Sequence, residues 1–337
     1  MSDAEEIFPL NIARHGQRIA LGDHYDRTLR QMGHDPSKLP VGLFFTFCGD
    51  ILGSSGEHYA KGASLPFAEA CSKASFNFSD DFMESLAMYA MPRLPEQINL
   101  PVLMQYRDVF HDFIKEHFEG MSLTYSPWFG ALFAAKTTLQ FADILQKHGS
   151  CGAAMRAAIL SDSGLDDAAI LPYFLITHAH LEAIEGAYAV LGLARAAQAG
   201  AGFDAALDRA DAAAQAGRRL CQNFQRGQGW DVQDYPPLMP YIHKVLATGD
   251  AYKTIHDIAA EGIETRFVVP AAFLCVRQAL AQGGDFRAGV EALVTGGLHI
   301  GGDPDTICSI AMGLYGLFHP EGVMAALQNV TIGAEKA

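Results

Sequence analysis

The chain has 337 residues, half of them hydrophobic and 18% charged, with a formal net charge of −14. A chain of this length buries roughly 75% of its unfolded surface and needs no disulfide or metal staple to fold. The acidic balance argues against nucleic acid as a general ligand, because phosphate binding calls for a positive surface.

Residues 1–40 stand apart as an N-terminal arm or extra helix. Met1–Glu6 is acidic where a secretory leader is basic, and no run of about 18 apolar residues follows anywhere, so a cytoplasmic protein without membrane contact is expected. Arg14 to Met32 can form an amphipathic helix, with Gly33 to Pro40 as a turn into the apolar Val41–Cys48. The arm either packs on the domain or reaches a partner or cleft. Gly49-Asp50-Ile51-Leu52-Gly53, with Gly56 close behind, reads as a loop that interrupts or follows a helix. Glu57 then projects from a glycine-flanked segment, a suitable place for a residue closing over substrate, although the segment by itself favours a solvated loop carboxylate.

Ser79-Asp80-Asp81 opens the next helix. Ser at the cap and Asp in the first turn satisfy free N–H groups and the helix dipole, which accounts for one or two of the three residues. Ala/Leu/Met-rich spacing at i, i+3, i+4 predicts helices over 82–91, 129–147, 151–160, 182–199, 203–225, 266–282 and 307–317, separated by Gly and Pro breakers. With alternating β-branched runs nearly absent, residues 41–330 read as one large all-α domain. Gly149-Ser150-Cys151-Gly152 is a glycine loop opening a helix, a place to receive phosphate oxygens on backbone N–H groups. Thr177-His178-Ala179-His180 precedes another helix, and two histidines at i, i+2 cannot share a helical face as zinc ligands. Six scattered cysteines without a C-x-x-C pair fit buried free thiols.

Gly301-Gly302-Asp303-Pro304-Asp305-Thr306 is the strongest local signal. Asp303 suits an N-cap and Pro304 the first helical position, but capping leaves the two glycines and the small residues Ser309, Ala311, Gly313 and Gly316 unexplained. These read as close helix packing with backbone near a bound group. Carboxylates crowded beside a core repel one another unless a cation sits between them. Oxygen-only donors suit Mg²⁺ or Mn²⁺ rather than zinc. If the fold joins Ser79–Asp81 to Asp303–Thr306, four aspartates and two hydroxyls can hold a pair of divalent ions.

In this order the segments resemble the ADP-ribosylglycohydrolase family, including the dinitrogenase-reductase-activating glycohydrolases, from about Phe44 to about Gly316. The G-D-x-x-G-x-x-x-E opening is met by Gly49, Asp50, Gly53 and Glu57. The T-D-D-T element is met in part by Ser79-Asp80-Asp81-Phe82. The glycine loop running into A-M-R is met by Gly149–Arg156. A T-H element before an A-I-x-G-A helix is met by Thr177-His178 and Ala183–Ala187, and G-G-D-x-D-T by Gly301–Thr306. Ser79, Phe82 and Pro304 replace threonines of the pattern, and no carboxylate is lost.

The resemblance implies an all-α fold with a binuclear metal cleft, in which Ser79, Asp80, Asp81, Asp303, Asp305 and Thr306 hold two Mg²⁺ or Mn²⁺ ions. It further implies Glu57 at the ribose or metal site and Asp303 or Asp305 as acceptor of the water proton. Gly149, Ser150, Cys151 and Gly152 would meet the diphosphate, with His178 by the distal part of the ligand. The activity implied is removal of ADP-ribose from a modified protein side chain, arginine first. The rival is an immunity-type protein whose arm neutralises an ADP-ribosyltransferase toxin. A scaffold that has lost catalysis is disfavoured by the intact Asp80, Asp81, Asp303 and Asp305.

Overall fold

The computed structural model describes residues 18–56, 65–74, 78–95, 98–118, 127–248 and 262–332. Among these residues the chain forms sixteen α-helices, two short 3₁₀ turns and one two-residue strand pair. The strand pair, Ile19–Ala20 against Thr331–Ile332, is antiparallel and clips the two ends of the described chain together. The all-α expectation holds. No helix of the described residues is long and apolar enough to cross a membrane.

The first helices build the front of the core. Helix α1 (Leu21–Gln31) buries Leu21, His24, Tyr25, Thr28 and Leu29, one stripe at helical spacing. Tyr25 sets its ring 5.1 Å from Phe44 and 5.3 Å from Phe47. Both belong to α2 (Val41–Ser54), whose residues from Gly42 to Gly53 are all buried. A helix apolar on every side belongs in the centre of a large core. Here the sequence reading needs correction, because Gly49 and Gly53 lie within α2 and make no loop. A Cβ on Gly49 would stand 2.3 Å from the Cys308 carbonyl oxygen, and one on Gly53 would stand 2.5 Å from that of Pro304. The glycines let two backbones touch.

After α3 (Phe67–Lys73) come α4 (Asp80–Ala90), α5 (Leu100–Phe118), α6 (Pro127–Ala134) and α7 (Thr138–Lys147). The predicted 129–147 helix is two helices, since Thr137 caps α7 by accepting the Gln140 N–H and so ends the run. The predicted 151–160 helix is likewise the single turn α8 (Gly152–Met155) followed by a 3₁₀ turn over Ala158–Asp162.

The second half is a stack of longer helices: α9 (Asp167–Leu175), α10 (Leu181–Gln198), α11 (Phe203–Gly227) and α12 (Met239–Ala247). Helix α10 is buried almost all round. Against it α11 lays Ala206, Ala210, Ala214, Gly217 and Cys221, small residues every three or four positions that permit a close crossing. Then follow α13 (Thr265–Leu280), α14 (Phe286–Ile300), α15 (Pro304–Phe318) and α16 (Pro320–Gln328). Helix α15 is the partner of α2, and Gly316 admits the Phe45 ring, which a Cβ there would strike. The small-residue stripe of α15 thus serves helix packing. All six cysteines are free thiols, five of them buried.

Candidate active site

The α2–α15 contact brings the two acidic segments together. Thr306 Oγ1 donates to Asp81 Oδ2 at 3.0 Å, a bond between residues 225 positions apart. The Ser79 hydroxyl reaches the same carboxylate oxygen at 3.1 Å. Asp80, Asp303, Asp305 and Thr306 line a cleft of about 170 Å³, together with Ser150, Cys151, Gly152 and His178. Ser79, Asp81 and Gly149 are not among the residues that line it. Glu57 lies outside the described residues.

Capping and function separate cleanly in this geometry. The N-terminus of α4 is capped chiefly by Asp50, which is fully buried on α2 and accepts the Ser79 N–H at 2.8 Å and the Phe82 N–H at 3.0 Å. Ser79 adds a bond from the Asp81 N–H. Asp80 is therefore free to face the cleft. Asp303 occupies the N-cap position of α15 but makes no capping bond with its side chain. Its carboxylate instead accepts a hydrogen bond from the Cys151 thiol at 3.3 Å. The preceding Gly301 and Gly302 have φ of 66° and 84°, a turn that only glycine adopts without strain. That turn aims Asp303 away from its own helix.

Packing these carboxylates together is costly. Burial raises the pKa of Asp50, Asp81 and Asp303 well above the ordinary range, and the charge of Asp305 raises each further. Asp80 is pushed up to about 6 by the same two causes. Asp81 Oδ1 is buried without a hydrogen-bond partner, an arrangement native proteins seldom tolerate. Among the described residues, no group of three or more His, Cys, Asp or Glu side chains is arranged to hold a metal ion. The donor set itself fits a hard cation: it is all oxygen, mutually repulsive, and leaves one carboxylate oxygen with nothing to bind.

The opposite wall is the 149–152 loop. Thr265, at the start of α13, donates its N–H to the Gly149 carbonyl at 3.0 Å, and its hydroxyl to the same carbonyl at 2.9 Å. The Cys151 N–H binds the Ile263 carbonyl at 3.1 Å. Thr265 fits because α10 offers Gly186 there, where a Cβ would meet its methyl group at 2.1 Å. Ser150 Oγ lies 2.8 Å from His178 Nε2. Burial, then the Arg156 charge, holds the His178 pKa well below its ordinary value, so the ring is neutral. Burial and the charge of Asp303 raise the Cys151 pKa well above normal, which keeps it a thiol and unsuited to nucleophilic attack.

Five further wall residues went unnoticed in the sequence reading: Glu84, Trp128, Phe129, Met155 and Ile263. Glu84 follows Asp80 by four residues, so helical spacing alone placed it on the same face. Burial pushes it up to about 8 despite its ion pair with the buried Arg156. Trp128 stacks on His148 at 4.7 Å and meets His178 edge-on at 5.0 Å. No local motif announces it.

The sequence profile of the ADP-ribosylglycohydrolase family matches residues 43–332. The chain belongs to the ADP-ribosylglycohydrolase family. No curated protein sequence matches it. A solved structure described as an "ADP-ribosylglycohydrolase-related protein complex" shares the fold at a TM-score of 0.50 and 18% identity, over 90% of this chain and 93% of that one. Membership in the ADP-ribosylglycohydrolase family implies a hydrolase acting on ADP-ribose linkages, and the match covers both acidic segments and the glycine loop.

Proposed function

We propose that the protein removes ADP-ribose from a modified protein side chain by hydrolysing the glycosidic bond, with arginine-linked ADP-ribose as first substrate. The observation that carries this reading is the Thr306–Asp81 hydrogen bond, which ties the two acidic segments together beside a single cleft. Ser79, Asp80, Asp81, Asp303, Asp305 and Thr306 would hold a pair of Mg²⁺ or Mn²⁺ ions. When bound, such ions would offset the mutual repulsion of the crowded carboxylates and lower the pKa of water.

The residues of the chain do the rest. Attack at the anomeric carbon passes through an oxocarbenium-like state, which the carboxylates of Asp80, Asp303 and Asp305 stabilise by their charge. Asp303 or Asp305 takes the proton of the attacking water. The Ser150–Gly152 loop would receive the diphosphate, and the Trp128–Phe129 wall offers an aromatic face to the nucleobase. Glu57, outside the described residues, would touch the ribose or the metal site. The described residues add no observation in favour of toxin neutralisation by the arm.

The test is release of free ADP-ribose from an arginine-modified protein, with Mg²⁺ and with a chelator. Release that the chelator abolishes is expected. The proposal falls if no release occurs from arginine-, serine- or nucleotide-linked substrates.

A further inference from the structure

Arg156 is fully buried, yet it ends a chain of hydrogen bonds that leads to the cleft. Its guanidinium binds the Glu84 carboxylate and the Thr177 hydroxyl. Thr177 Oγ1 lies 2.8 Å from His178 Nδ1. His178 Nε2 in turn lies 2.8 Å from Ser150 Oγ, on the cleft wall.

The direction of each link follows from the end that has no choice. A guanidinium only donates, so Thr177 Oγ1 accepts from Arg156. The Thr177 hydrogen then has two acceptors in reach, His178 Nδ1 at 2.8 Å and the Phe174 carbonyl at 3.4 Å. The shorter contact is the stronger bond. Electrostatics agrees, because the Nδ1 side of the ring faces the cation, where a lone pair is favoured over an N–H. A neutral imidazole that accepts at Nδ1 carries its proton on Nε2. That N–H is donated to Ser150 Oγ, and the Ser150 hydroxyl hydrogen is left to point into the cleft.

We propose that Arg156 is a positioning residue which, through Thr177 and His178, fixes Ser150 as a hydrogen-bond donor to the ligand. The group seated against Ser150 is then a hydrogen-bond acceptor such as a phosphate oxygen, rather than a donor-only group such as an ammonium. Where the ligand is ADP-ribose this rests on the hydrolase reading; the direction of the relay does not.

Two measurements on the full chain decide it. In ¹⁵N-histidine-labelled protein, the His178 ring, assigned by its absence from His178→Gln, is expected as the Nε2–H tautomer. Thr177→Val should abolish that preference and Thr177→Ser restore it. An Nδ1–H tautomer in the unmodified protein overturns the proposal. With ADP-ribose as probe, Ser150→Ala and Thr177→Val are each expected to weaken binding about tenfold, as loss of a bond to a charged group does. The double variant should be no weaker than Ser150→Ala, because both remove the same donor. Losses that multiply in the double variant would make Thr177 merely structural and sink the relay. If the unmodified protein binds no ADP-ribose, the hydrolase reading fails, while the tautomer still decides the relay.

Discussion

Gly53→Ala tests whether the α2–α15 contact sets the carboxylate geometry. A methyl group at position 53 would stand 2.5 Å from the Pro304 carbonyl oxygen and 2.6 Å from the Asp305 Cα. Both atoms are backbone, so no rotamer change relieves the clash, and the start of α15 must recede by about 0.9 Å to reach ordinary contact. Overpacking of this kind costs about 1–3 kcal/mol. The proposed metal site should suffer more than the fold. Mg²⁺ demands near-ideal octahedral geometry at about 2.1 Å, and a shift of that size carries Asp305 out of range. We expect thermal unfolding lowered by a few degrees and Mn²⁺ affinity, by isothermal titration, lowered at least tenfold. Gly313→Ala is the control on the same helix, since its methyl would meet only the Thr46 hydroxyl at 3.3 Å and the Ala158 methyl at 3.8 Å. It should leave Mn²⁺ affinity unchanged. Wild-type Mn²⁺ binding in Gly53→Ala would refute the argument that α2 locates Asp305.

Asp305→Asn should stabilise the metal-free protein by about 1–2 kcal/mol, as relief of strained functional sites often does, while abolishing turnover; a lower melting temperature would mean that Asp305 serves the fold. The pH dependence of the metal-free protein follows from raised carboxyl pKa values. Asp80 rises from 3.8 to about 6 and Glu84 from 4.5 to about 8, so the folded state binds more protons than the unfolded one between these values. Their contribution is fully present below about pH 4 and is lost as pH climbs through 6 to 8, with Asp80 alone worth on the order of 3 kcal/mol. Melting in chelator at pH 5 should therefore exceed that at pH 8, and the stabilisation given by Mg²⁺ should grow with pH; the reverse slope would contradict the crowding described here. Tyr25→Ala, which removes a ring packed on Phe44 and Phe47, should cost about 3–5 kcal/mol in denaturant unfolding. A loss under 1 kcal/mol would make α1 a loosely held appendage.

Much of this architecture is legible in the residues. The 203–225 helix is read close to its bounds because Ala206, Ala210 and Ala214 recur every four positions on one buried face. The residues the family motifs single out include Asp80, Ser150, Cys151, Gly152, Asp303, Asp305 and Thr306, which line one cleft in the structure. Local rules mislead where tertiary contact overrides them. Glycine has low helix propensity, so Gly49 and Gly53 suggest a loop, although a helix needs them there to meet α15. Asp303 has the sequence of an N-cap, yet its carboxylate turns to Cys151. Asp50 looks like part of a glycine motif and instead caps another helix from thirty residues away. Trp128 reaches His178 only through the packing of α6, which no spacing rule encodes.

The central claim is that the two acidic segments jointly hold cations. Anomalous diffraction from a crystal soaked in Mn²⁺ and ADP-ribose tests it most directly. The account predicts two manganese peaks, each within about 2.3 Å of oxygens from both the Ser79–Asp81 and the Asp303–Thr306 segments, with the ribose between them and the solvent. Peaks absent from the cleft, or bound by one segment alone, would contradict it.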